Sequence, residues 1–240
     1  MSQKIADRSS EWFVPRFGPV KLRIFIGLLF LPYTGMVLSF TVMGAMLAET
    51  IFWDRVAATV IVYFLGLGIS AHALDALGGK ETGPWGRTFT KFQLWSLAIT
   101  ALVLAYALAV YYMIRFVPWV WPVAIVQGFF VFAYNLEWFG GKFHRDNWFA
   151  FSWGFLPVIA GSMVQTNRLN IEAVVIGLAM ALFSLVEIKA SRPYKELKKQ
   201  SGVLLTEDIN LINRYETMLK CLSFGVILLG LGLLIRRVLN

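Results

Sequence analysis

Three carboxylates sit where an apolar chain does not keep charge without reason. Asp75, Glu137 and Glu187 each stand at the polar end of a long hydrophobic stretch. A carboxylate at membrane depth is costly, and such residues mark ion, proton or substrate sites by default. His72 precedes Asp75 by three residues, so the two share a helical face. That pair reads either as a proton-handling couple or as a hydrogen bond satisfying two buried groups. Tyr134 and Asn135 precede Glu137 and are candidates for the same site or for interhelical hydrogen bonding. Glu187 is followed by Lys189, Ser191 and Arg192. It reads either as a site residue or as the ion partner of Lys189.

Two of these segments are near copies. Leu74-Asp75-x-x-Gly78-Gly79-Lys80 repeats as Leu136-Glu137-x-x-Gly140-Gly141-Lys142, 62 residues later. Each places a carboxylate on a last helical turn, then a glycine pair, then a lysine. Glycine and a following base suit any helix C-terminus. The acid does not, because the helix dipole repels it there. A carboxylate with a lysine on one face fits an anionic head group. His144-Arg145-Asp146, just after the second copy, reads as the rim of such a pocket or as a solvated loop.

The elements that position these residues follow from composition. Of 240 residues 58% are hydrophobic, mean hydropathy is +0.66, and only 15% are charged, against roughly 25% in a soluble domain. A soluble enzyme, a disordered chain and a secreted disulfide scaffold are excluded. The single cysteine, Cys221, forms no intramolecular disulfide and no CxxC motif. The expected fold is an all-α polytopic membrane protein in one domain over residues 1–240. About seven spans are expected: Ile24–Leu47, Val56–Leu77, Leu94–Ile114, Val117–Phe139, Trp148–Val164, Ile171–Ile188 and Leu219–Ile235. Residues 1–23 form a polar N-terminal segment. Residues 189–218 form the longest loop, with a short helix starting near Thr206 that leads into the last span.

With this span order, 17 of the 22 Lys and Arg residues fall on the side of the N-terminus. That bias predicts a cytoplasmic N-terminus. The net charge of +8 is then chiefly a topology signal facing anionic lipid heads, not a nucleic-acid signal. Gly66-Leu67-Gly68-Ile69-Ser70-Ala71 fits a dinucleotide fingerprint by letters only. Inside a span, small residues serve close helix packing. Trp119 and Trp121 fit an interfacial aromatic belt. The cluster Phe129, Phe130, Phe132, Tyr134, Trp148, Phe149, Phe151 and Trp153 contains candidates for lining a cavity.

Carboxylates ending spans two and six, with a Tyr-containing segment ending span four between them, resemble the UbiA superfamily of intramembrane prenyltransferases. The family's first Asp-rich motif corresponds to Ser70–Asp75, and the second, Asp-x-x-x-Asp, to Glu187-x-x-x-Ser191. Tyr134–Thr166, with Gly154, Pro157 and Gly161, looks most like the family. Its members commonly have nine spans, so this chain resembles a shortened version of that fold. The resemblance implies a helical bundle in the cell (inner) membrane with a lipid-open central cavity. It implies one Mg²⁺ held by Asp75 and Glu187, with Glu137 or Asn135, and an allylic prenyl diphosphate as substrate. Lys80, Lys142, Arg145 and Arg192 would neutralise the diphosphate from the rim. His72 would act as general base or orient Asp75; Asp75, Glu137 and Tyr134 would be catalytic with it, and a lipophilic acceptor would receive the prenyl group. An intramembrane terpene cyclase is a close variant. A lipid-binding protein or transporter on the same scaffold, with His72 and Asp75 proton-coupled, is the alternative from another class, and an assembly protein without a site is a third. Oligomeric state is left open.

Overall fold

A computed structural model describes residues 11–78, 88–199 and 205–239. Every regular element among them is helical. In chain order they are α1 (Val20–Leu28), α2 (Leu31–Ala45), α3 (Trp53–Tyr63), a π-helical segment (Phe64–Ala71), α4 (His72–Gly78) and α5 (Lys91–Arg115). A 3₁₀ turn (Pro118–Val120) leads to α6 (Trp121–Asn135) and the short α7 (Trp138–Gly141). Then come α8 (Asp146–Phe149), a second π-helical segment (Ala150–Phe155), α9 (Leu156–Thr166), α10 (Ile171–Lys199) and α11 (Thr206–Leu239).

Five stretches among the described residues are long and apolar enough to cross a membrane: Val20–Ala45, Trp53–Gly78, Lys91–Arg115, Ile171–Lys199 and Thr206–Leu239. The expected fourth span is shorter than its hydropathy implied. α6 has 15 residues, against the roughly 20 that the hydrocarbon core takes. The expected fifth span, around α9, is the centre of the bundle: every residue from Leu156 to Gln165 is buried. α2, α3, α6 and α10 pack around it. The outer helices turn apolar side chains outward instead. On α10, Ile171, Val175, Leu178, Leu182 and Val186 form an exposed stripe at helical spacing, the face a lipid-contacting helix presents.

The sixth hydrophobic stretch does not end its helix at Ile188. α10 continues to Lys199 through Pro193. Charge ends a hydrophobic span, but Lys, Arg, Glu, Leu and Ala are all good helix formers. Most of the expected 189–218 loop is therefore helix, because α11 also starts at Thr206 and runs unbroken to Leu239.

Two arginines, Arg55 and Arg237, cap helix ends. Arg55 Nη1 donates to the carbonyls of Val164 and Gln165 at 3.3 and 3.4 Å, at the end of α9. Arg237 Nη2 donates to the carbonyls of Met46 and Ala48 at 3.0 and 2.8 Å, and its Nε also donates to Met46. These groups follow α2, where helical carbonyls lack partners. Arg237→Ala is expected to cost about 1–2 kcal/mol of stability, the range for a hydrogen bond to a charged group. Thermal unfolding of the detergent-solubilised variant measures this.

Candidate functional site

α1 and α2 meet at Phe30, whose backbone is left-handed (φ 44°). At the same end of the bundle α4 and α6 stop and α10 passes by. The junction is unusually close: a Cβ on Gly78 would lie 2.1 Å from the Asn135 carbonyl oxygen. Glycine there brings the Asp75 turn of α4 against the last turn of α6. Both π-helical segments lead into this region, one immediately before His72 and the other carrying Trp153. π-bulges re-aim side chains and recur at functional sites.

These elements enclose a cavity of about 230 Å³. His72, Asp75, Tyr134, Asn135, Glu187 and Arg192 all line it, as do His144, Ser191 and Lys195. Six of the residues singled out from sequence for a site role thus come together, although they lie on three separate helices. Phe30, Tyr33, Phe149 and Trp153 supply apolar walls. Of the eight aromatics in the expected cluster, Tyr134, Phe149 and Trp153 line the cavity. Phe149 and Trp153 stack at 5.4 Å. Phe130, Trp148 and Phe151 pack against one another and are not among the lining residues.

The polar groups have defined surroundings. The ring of His72 stacks on Phe30 at 4.8 Å, and its Nδ1 lies 3.0 Å from the Gly68 carbonyl. A carbonyl only accepts, so Nδ1 is the donor in this bond. His144 makes the same type of bond to the Tyr134 carbonyl, at 2.9 Å. Asn135 donates to the Val131 carbonyl at 2.7 Å. Glu187 is buried. Arg192 Nε pairs with Asp146 Oδ1 at 2.9 Å, and Lys189 reaches the other carboxylate oxygen at 3.5 Å. Arg192 Nη2 is buried and has no hydrogen-bond partner among the described residues. The same guanidinium lies beside the Tyr134 hydroxyl, so an anion in the cavity meets a donor group already held by Asp146.

The second near copy does not repeat the first. α6 ends at Asn135, so Glu137 lies beyond the helix rather than on its last turn. Glu137 and Phe139 have φ of 52° and 57°, and Gly140 and Gly141 have φ of 67° and 78°. α6 has therefore already stopped before the glycine pair, which lies in the left-handed backbone of the α7 turn and does not cap α6 as the helix-stop reading expected. Asp75, by contrast, lies inside α4. Glu137 is not among the cavity-lining residues, and Lys142 and Arg145 are exposed and not among them either. Lys80, with Gly79, lies outside the described residues. The packing role of the small residues before His72 is visible: a Cβ on Gly68 would lie 2.8 Å from Thr34 Cγ2.

Two features were not anticipated. Lys195 joins the cavity because α10 is continuous: Glu187, Ile188, Ser191, Arg192 and Lys195 recur every three or four residues and share one face. The polar N-terminal segment also returns to the bundle. Phe13 packs on Phe30 at 5.1 Å, and Trp12 on Tyr33 at 6.3 Å. Tyr194, with one hydroxyl proton, lies 2.9 Å from Glu11 and 3.1 Å from Glu216, and Lys198 donates to its oxygen at 2.9 Å. The apolar run Trp12-Phe13-Val14 inside a charged segment was the sequence signal.

Comparison with family models, curated proteins and solved structures finds no match.

Proposed function

We propose that this chain is a prenyltransferase-like enzyme of the cell (inner) membrane. It binds an allylic prenyl diphosphate at the cytoplasmic end of the bundle and transfers the prenyl group to a lipophilic acceptor. One observation carries the reading. A single cavity combines carboxylates (Asp75, Glu187), cations (Arg192, Lys195, with the unpartnered Arg192 Nη2) and aromatic walls. A diphosphate attached to a hydrocarbon is the ligand class that uses all three.

The donor set fits Mg²⁺. No three His, Cys, Asp or Glu gather into a metal cage among the described residues. Mg²⁺ needs no such cage, since it keeps several waters and binds through one or two carboxylates plus phosphate oxygens. Asp75 and Glu187 would hold it, and Glu137, away from the cavity, drops out of the set. When bound it neutralises charge on the leaving diphosphate. The protein's own groups account for the remaining roles. Arg192 and Lys195 stabilise the diphosphate oxygens as the allylic C–O bond breaks and its electron pair leaves with the diphosphate. Phe30, Phe149 and Trp153 surround the cationic allyl fragment with aromatic groups. The acceptor forms the new bond to that carbon and releases a proton, for which His72 is the general base.

The test is incubation of the purified chain with labelled prenyl diphosphates of several lengths, with and without Mg²⁺. Diphosphate release that requires Mg²⁺ is the expected result. Absence of both Mg²⁺-dependent release and binding overturns the reading. Glu137→Gln and Lys142→Ala are expected to change the release rate by no more than about two-fold, since neither lines the cavity. A large loss in either would move the site toward the α7 turn.

A further inference from the structure

A second hollow lies on the other flank of α6. α5 and α6 are joined by a tight turn, yet α5 packs on α3, α4 and the first π-helical segment rather than along α6. The gap between them is a partly open crevice of about 90 Å³, floored by α3 and α9. None of its lining residues is charged. Tyr106 spans the gap: its hydroxyl donates to the Ala124 carbonyl at 2.7 Å, and a Cβ on Gly128 would lie 2.0 Å from that hydroxyl. Thr59 is satisfied by the Arg55 carbonyl at 2.8 Å. Gln127 differs. It lines the crevice, and both its amide oxygen and its amide nitrogen are buried with no hydrogen-bond partner among the described residues. A primary amide left unpaired in an apolar surrounding is costly at both ends, so its retention points to a ligand that completes it.

The geometry points to a binding site for a neutral single-chain lipid alcohol, its hydroxyl paired with the Gln127 amide and its chain lying between α5 and α6. A hydroxyl accepts from Nε2 and donates to Oε1 at once. A charged head group is excluded by the absence of any lining counter-charge. The crevice is narrow and partly open, so a flexible methylene chain lies along it with its remainder in the surrounding lipid. The crevice meets the polar cavity only at Leu67, which lines both. The site does not depend on diphosphate chemistry in that cavity.

The experiment uses the full chain in detergent micelles and hexadecanol carrying a mid-chain diazirine. Photolysis followed by peptide mapping is expected to place label on α5 and α6 around Ala105–Met113 and Val123–Val131. Hexadecanol should compete at a concentration roughly ten-fold lower than hexadecane, the net difference expected from pairing its hydroxyl with the amide. Gln127→Leu should abolish that ten-fold preference. Should Gln127→Leu fail to fold, Ala109→Phe, which fills the crevice without touching the amide, decides by the loss of labelling. Labelling spread evenly over the apolar surface, equal competition by alkane and alcohol, a preference that survives Gln127→Leu, or undiminished labelling of Ala109→Phe overturns the proposal.

Discussion

Asp75→Asn and Arg192→Ala are each expected to lower Mg²⁺-dependent diphosphate release by about 10²–10³-fold, the usual cost of removing one group that stabilises developing charge. The two losses should differ in kind. Asp75→Asn keeps the shape of the cavity and removes a hard anionic donor, so a raised Mg²⁺ requirement should accompany the slower rate. Arg192→Ala removes the only cavity-lining guanidinium among the described residues and leaves Asp146 with Lys189 alone. Its effect should appear in diphosphate affinity as well as in rate. Arg192→Lys should not rescue it, because one ammonium cannot hold Asp146 and present a second donor edge to the cavity. Asp146→Asn, outside the cavity lining, should give an intermediate loss through misplacement of Arg192. Single-turnover rates against Mg²⁺ and substrate concentration measure each effect. Wild-type rates in both Asp75→Asn and Arg192→Ala would remove the cavity from the mechanism.

Parts of this arrangement were legible in the sequence for physical reasons, and parts were not. Hydropathy located the helical stretches, and the cost of charge in apolar surroundings singled out His72, Asp75 and Glu187, which line the cavity, along with Glu137, which does not. Neither property says where a backbone turns. Asp75 and Glu137 sit in near-identical strings, yet one is in a right-handed helix and the other at φ 52°. What separates them is the tertiary setting. Gly78 lies against the Asn135 carbonyl, so α4 continues to its end in contact with α6. Beyond α6 the chain instead folds back so that Trp138 stacks on Phe132 at 5.7 Å. Hydropathy also closed the sixth span at the first run of charge and so hid Lys195, which lies beyond the apolar stripe on the same helix. The N-terminal return of Trp12 and Phe13 depends on Tyr194, Lys198 and Glu216, residues about 180–200 positions away that no local pattern connects.

The largest stability effects are expected where two backbones touch. A Cβ on Gly161 would lie 2.0 Å from the Thr41 carbonyl oxygen, and one on Gly44 would lie 2.0 Å from that of Val158. These two glycines face each other's helix across the α2–α9 contact at the centre of the bundle. The obstructing atoms are main-chain atoms, which cannot rotate away as a side-chain tip can. Without a hydrophobic drive between helices in lipid, association rests on such close packing of small residues. Gly161→Ala and Gly44→Ala are each expected to destabilise by about 2–4 kcal/mol, at or above the usual cost of overpacking. Once one substitution has separated the helices, the second meets space already opened, so the double variant should lose less than the sum. Gly225 and Gly232 on α11 have nothing within 4 Å of a built Cβ. Alanine at either should be neutral, or stabilising by up to about 1 kcal/mol through helix propensity. Denaturant-induced unfolding of the four single variants and the double variant in one detergent measures the contrast. Equal stability of Gly161→Ala and Gly225→Ala would mean that α2 and α9 do not meet at this distance. Because Phe30 and Thr34 at the head of α2 and Trp153 ahead of α9 line the polar cavity, separating these helices should also weaken substrate binding. Leaving every cavity-lining residue in place, Gly161→Ala thus tests whether the α2–α9 contact holds the site together.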